Sequence, residues 1–182
     1  MKKLFLLIFV LVFVFSLSSF AGDKKHEYVG VKKCVTCHKS KTQGEQKAIW
    51  EKSSHSNTFK QLSSKEGLAK AKTLGVEDPT KSDKCLSCHA PEFDKKDLFQ
   101  KNFNIDEGVQ CESCHGPGSE YKSKKIMKDR DTAIANGLLV PDEKTCLNCH
   151  KKDNPEHKGT FDYKKAWDKI KHPVPDKAEK KS

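Results

Sequence analysis

The eight cysteines of this 182-residue chain fall into four pairs of one spacing: Cys34 and Cys37, Cys85 and Cys88, Cys111 and Cys114, Cys146 and Cys149. Each pair is followed at once by a histidine: His38, His89, His115 and His150. Two thiols separated by two residues lie on one side of a helical turn, placed to add to the two vinyl groups of one haem. The adjacent imidazole then points at the iron as proximal ligand. Each C-x-x-C-H unit therefore predicts one covalent haem c, four in all. Disulfide frameworks, zinc sites and thioredoxin-like pairs also use paired cysteines. With 8 histidines in 182 residues, chance puts a histidine after all four pairs on the order of a few times in a million, and none of those three chemistries requires it there.

Four histidines remain for the opposite faces of the irons: His26, His55, His157 and His172. His55 follows Trp50 in the segment after the first motif, where an aromatic packs on a macrocycle while the imidazole projects to an iron. His172 closes an amphipathic segment containing Trp167. Both are expected as distal ligands. His26 and His157, near the start of the exported chain and in a loop, are either ligands or solvated. Met127 is either an axial thioether, which would raise the potential of its haem, or a gap-filler.

These sites must be carried by a chain that is poor in ordinary core. The first 21 residues hold 16 apolar residues and the other 161 hold 47, about 29% against the roughly 45–50% of a globular domain. Macrocycles are expected to supply the missing interior, so the fold should need its cofactors. The expected architecture is mainly α, a haem-cored multihaem c-type cytochrome with long loops and little or no β. Helix is expected over Gln46–Leu62, over Tyr121–Asn136, and from an Asp162 cap through Trp167 to Ile170, ended by Pro173. Gly22–Lys33 reads as a short arm. Gly116-Pro117-Gly118 breaks the chain after the third motif. The second and third motifs begin only 26 residues apart, which predicts neighbouring haems.

Lys2 and Lys3 precede a 12-residue apolar run, Leu4–Phe15, with small residues at Ser19 and Ala21. The run is too short to span a bilayer, which takes about 20 apolar residues, and reads as a secretory signal. The expected organisation is a cleaved signal at 1–21, a tetrahaem domain at 22–175 and a charged disordered tail at 176–182, in a soluble periplasmic protein with no stable membrane span after cleavage. Formal charge is +10, but the lysines are spread along the chain without an aromatic-interleaved basic stripe, so nucleic acid is not the expected partner.

Tyr28-Val29-Gly30-Val31-Lys32-Lys33, Trp50 to His55, Gly108 to Gly118 and Phe161 to His172 together resemble the tetrahaem cytochrome c-554 family of ammonia-oxidising and related bacteria. That resemblance implies a mainly helical fold with haems in close parallel and perpendicular pairs. It also implies two-histidine ligation at three irons, a five-coordinate haem at the second motif, and distal roles for His55 and His172. The family's distal histidine after the Gly-Pro-Gly turn has no counterpart in Tyr121–Asp131, where Met127 is the nearest alternative. The partner so implied is a hydroxylamine oxidoreductase-like donor. A quinol-linked multihaem protein fits the same chemistry.

Closely spaced haems with filled axial positions need no substrate pocket, so an electron carrier is the leading expectation and an enzyme is not. The alternative is a reductase of a nitrogen oxide or peroxide at a five-coordinate haem. A haem-storage or sensor module is the third reading. No catalytic residue is expected.

Overall fold

The computed structural model describes residues 25–151, 154 and 161–173. The expected signal at 1–21, the tail at 176–182 and His157 lie outside the described residues, as do both ends of the expected 22–175 domain. Among the described residues the chain is mainly α, with no named strand and one isolated parallel bridge, Tyr28 to Phe99. No described helix is long and apolar enough to cross a membrane.

The helices are short and follow in order: α1 (Val31–Cys34), α2 (Gln46–Lys52), α3 (Thr58–Leu62), α4 (Lys65–Thr73), α5 (Asp83–His89), α6 (Cys111–His115), α7 (Lys124–Met127), α8 (Arg130–Ala135), α9 (Glu143–Leu147) and α10 (Tyr163–Ile170). Single 3-10 turns cover Lys41–Gln43, Ser54–Asn57, Lys96–Leu98 and Ile105–Glu107. An isolated helix of such length is unstable in water, so tertiary ties and caps must hold each one.

The expected helix over Gln46–Leu62 is interrupted. Ser53 is extended, its hydroxyl donates to the Trp50 carbonyl (2.7 Å), and the Ser56 hydroxyl donates to the Ser53 carbonyl (3.0 Å). Serine hydroxyls here compete for carbonyls that a continuous helix would use. Tyr121–Asn136 likewise divides in two. Ser123 and Asp129 each accept a backbone N–H three residues on, from Ile126 and Thr132, and each starts its own helix. Helix α10 follows expectation: Asp162 accepts from Lys165 N at 3.1 Å, and the helix ends before Pro173. His172 sits beyond the last turn rather than in it.

Two small apolar clusters take the place of one large core. Leu62, Leu86 and Ala90 pack with Phe59, Phe93, Cys85 and Ile105. The second is built on the expected short arm: Tyr28, Val29 and Val31 are buried, and Tyr28 meets Phe99 and Phe103 edge-on. What buries the arm is Glu112. Its carboxylate accepts Val29 N (2.9 and 3.1 Å), Gly30 N (2.8 Å) and Gly118 N (2.6 Å). One side chain between the cysteines of the third motif thus ties the arm to the Gly-Pro-Gly turn. Gly30, at φ +83°, cannot carry a Cβ, which would lie 2.7 Å from the Asn102 carbonyl oxygen.

Candidate functional site

Each C-x-x-C-H unit forms one helical turn. In the first and fourth, the histidine N–H donates to the carbonyl of the leading cysteine, His38 to Cys34 at 3.1 Å and His150 to Cys146 at 2.9 Å. Helix α5 contains the whole second unit, and α6 is the third. Ser82 precedes α5, the Ser113 hydroxyl accepts Gln110 N at 2.9 Å to open α6, and Asp142 caps α9 through Thr145 N at 3.0 Å. Side-chain caps therefore start the turns of the third and fourth units, whereas Ser82 and Gly30 precede those of the second and first without a side-chain cap bond.

No disulfide joins any of the eight cysteines. The fold brings their units together in an order that the chain does not follow. Helix α1 packs on α6, which brings Cys34 of the first near Cys111 of the third; that thiol and burial push the Cys34 thiol up. Cys114 of the third is pushed up to about 11 by burial and by Cys146 of the fourth. Cys149 of the fourth is pushed up to about 12 by burial and by Cys88 of the second, and its sulfur lies 3.9 Å from the Ser87 carbonyl. The second and third units, expected as neighbours from their spacing, make no such thiol contact among the described residues. Glu92, three residues beyond the second unit, is buried, and Ser113 of the third unit lowers its otherwise raised carboxyl value.

Two of the motif histidines are held in defined tautomers. His89 Nδ1 lies 2.7 Å from the Thr58 carbonyl oxygen, and His115 Nδ1 lies 3.0 Å from that of Leu139. A carbonyl only accepts, so both Nδ1 atoms carry the proton and both Nε2 atoms are left as ligands. Burial holds His38, His55, His115 and His172 below the ordinary imidazole value. This favours the neutral, metal-binding form.

Two of these histidines face the expected distal residues. His55 and His150 have ring centroids 6.2 Å apart, and His115 and His172 are 5.9 Å apart. Two imidazoles on opposite sides of one metal, at about 2.0–2.1 Å per metal–nitrogen bond, have centroids roughly 6.3 Å apart. The donor set thus fits haem iron at both places. Phe161 stacks on His150 at 4.7 Å. Among the described residues no three His, Cys, Asp or Glu side chains converge as a metal site, whereas a structural zinc takes four. The paired thiols and paired rings suit a porphyrin better.

The remaining candidates are placed differently. Met127 ends α7, half-buried, with no described contact to a motif histidine. His26 lies against Gly137, where a Cβ would come within 2.7 Å of its ring. No ring partner like those of His115 and His150 is described for His38 or His89. Sequence reasoning missed three further residues: Glu112, Glu92 and Thr58. Glu112, a carboxylate inside a cysteine-rich turn just before Gly-Pro-Gly, carried a faint signal. The other two carried none.

Residues 33–116 match the family described as cytochrome c554 and c-prime. The chain is also similar to cytochrome c-554 of Nitrosomonas europaea, 32% identical over 149 residues, which is 72% of this chain and 60% of that relative. The chain therefore spans about three-fifths of the length of the curated relative it matches. No solved structure matches it.

Proposed function

We propose that the chain is a cytochrome c554-like electron carrier with four covalent haem c groups, a reading supported by the family match over residues 33–116 and the similarity to cytochrome c-554. Cys34 and Cys37, Cys85 and Cys88, Cys111 and Cys114, and Cys146 and Cys149 form the thioethers. His38, His89, His115 and His150 are the proximal ligands. His55 serves as distal ligand opposite His150, and His172 opposite His115. Met127 is the candidate for one of the two remaining irons. A haem held this way exchanges single electrons between ferric and ferrous iron.

The observation that carries this reading is the facing of His55 on His150 and of His172 on His115, with ring centroids 6.2 and 5.9 Å apart. In this reading residues 1–21 are removed on export, residues 22–175 form the cytochrome domain in the periplasm, and 176–182 are a charged tail. The partners are redox proteins, with a hydroxylamine oxidoreductase-like donor or a quinol-linked multihaem protein as the chemistry that fits. A potentiometric titration of the purified protein tests the carrier: four one-electron components should appear, all reoxidised by a redox protein. Fewer than four components would overturn it.

His38 and His89 lack a described ring partner, and this favours one secondary reading, reduction of a nitrogen oxide or peroxide at a five-coordinate haem. Fast multiple-turnover reoxidation of the reduced protein by nitric oxide or peroxide would select it over the carrier.

A further inference from the structure

Thr58 touches two of the proposed haem sites at once. Its carbonyl oxygen accepts His89 Nδ1–H at 2.7 Å. Its hydroxyl lies 2.8 Å from the His89 carbonyl and 3.0 Å from the His55 carbonyl, and it accepts Val109 N–H at 3.0 Å. A hydroxyl has one proton, so the two carbonyls share a single donor. Val109 N also reaches the His55 carbonyl, at 3.1 Å, and Trp50 Nε1 donates to the Val109 carbonyl at 2.8 Å. Gly108, at φ +73°, leaves no room for change: a Cβ there would lie 2.4 Å from Thr58 Oγ1 and 2.8 Å from the His55 carbonyl oxygen.

His89 belongs to the second unit, and His55 faces His150 of the fourth at 6.2 Å. The thiols of those two units are also neighbours. We propose that Thr58 is a positioning residue shared by two haem sites, orienting the proximal His89 of one and the distal His55 of the other through one hydroxyl and one carbonyl. The Nδ1–H···O=C bond makes His89 a more basic ligand, which favours ferric iron, and the hydroxyl keeps that carbonyl aimed. Anything that moves Thr58 therefore alters both sites together. The inference rests on the haem reading above.

The test compares the holoproteins of wild type, Thr58→Val and Thr58→Ser by haem count, potentiometric titration and paramagnetic resonance of the oxidised state. Valine keeps the branched shape and removes the hydroxyl; serine restores it. With four haems retained, Thr58→Val should displace two of the four redox components, that of the second unit toward positive potential. It should also alter two sets of low- or high-spin signals, and Thr58→Ser should restore both. Displacement of one component or none, or failure of serine to rescue, would overturn the proposal while leaving the haem reading intact. A wild-type haem count below four would overturn the haem reading itself. If Thr58→Val does not mature, the methyl resonance of Thr58 in the wild-type protein decides. It should move in two separate steps of a reductive titration, and movement in one step only refutes the sharing.

Discussion

Glu112 offers the sharpest energetic test, because a single carboxylate holds three distant backbone segments. Its two oxygens accept the N–H groups of Val29, Gly30 and Gly118 at 2.6–3.1 Å, and the residue is 2% exposed. Glu112→Ala strands three buried donors. A hydrogen bond to a charged group contributes about 1.5–3 kcal/mol, which sets about 4.5–9 kcal/mol as the gross loss; water entering the truncated space should reduce it to about 3–6 kcal/mol. Glu112→Gln keeps one oxygen, facing Val29 and Gly118, and turns an NH2 group on the Gly30 N–H. Its loss should be about 2–3 kcal/mol, one bond and one donor–donor clash. Guanidinium unfolding of the holoproteins, followed by far-ultraviolet circular dichroism, measures both. In the haem reading the cofactors stay covalently attached on unfolding, so the difference reports chain packing. A loss below about 1 kcal/mol for Glu112→Ala, or a glutamine variant less stable than the alanine one, would refute the reasoning.

His55→Ala and His172→Ala should each convert one low-spin haem to high spin with all four haems attached, read by the visible spectrum of the oxidised protein; an unchanged spectrum rejects that residue as a ligand. Glu92 is buried, and desolvation holds its carboxyl above the ordinary value, with Ser113 and Lys95 pulling it down and Glu112 adding to the rise. The folded state therefore keeps this proton to a higher pH than the unfolded chain, whose carboxyls ionise near about 4.3, so its contribution to stability falls as pH rises from there through the folded value. Glu92→Gln should flatten that part of the stability profile above the unfolded carboxyl range, and a profile unchanged from wild type counts against it. An axial Met127 should give a thioether-to-iron charge-transfer band and the most positive potential of the four, both lost in Met127→Ala; identical spectra assign Met127 to packing.

The chemistry was legible because it is local. A C-x-x-C-H unit is five residues long and each forms its own turn, and the Asp162 cap and Pro173 stop of α10 are read within a dozen residues. His55 and His172, each a few residues from a tryptophan, were legible as candidates, and their rings lie 6.2 and 5.9 Å from those of His150 and His115. What stayed hidden depends on distant segments. The burial of the arm was not legible because its partner, Glu112, is 83 residues from Val29. The order of thiol contacts follows from tertiary packing, which the spacing of the second and third units does not determine. Helix boundaries were lost where Ser53, Ser123 and Asp129 redirect hydrogen bonds within segments of helical composition.

The most direct measurement is the intact mass of the purified, exported protein after acid–acetone extraction. Four haem masses should remain on the chain with no free thiol to alkylate, and the Cys85→Ala, Cys88→Ala double variant should retain three. A haem-free chain, or one with alkylatable or disulfide-bonded cysteines in any of the four units, would contradict the account.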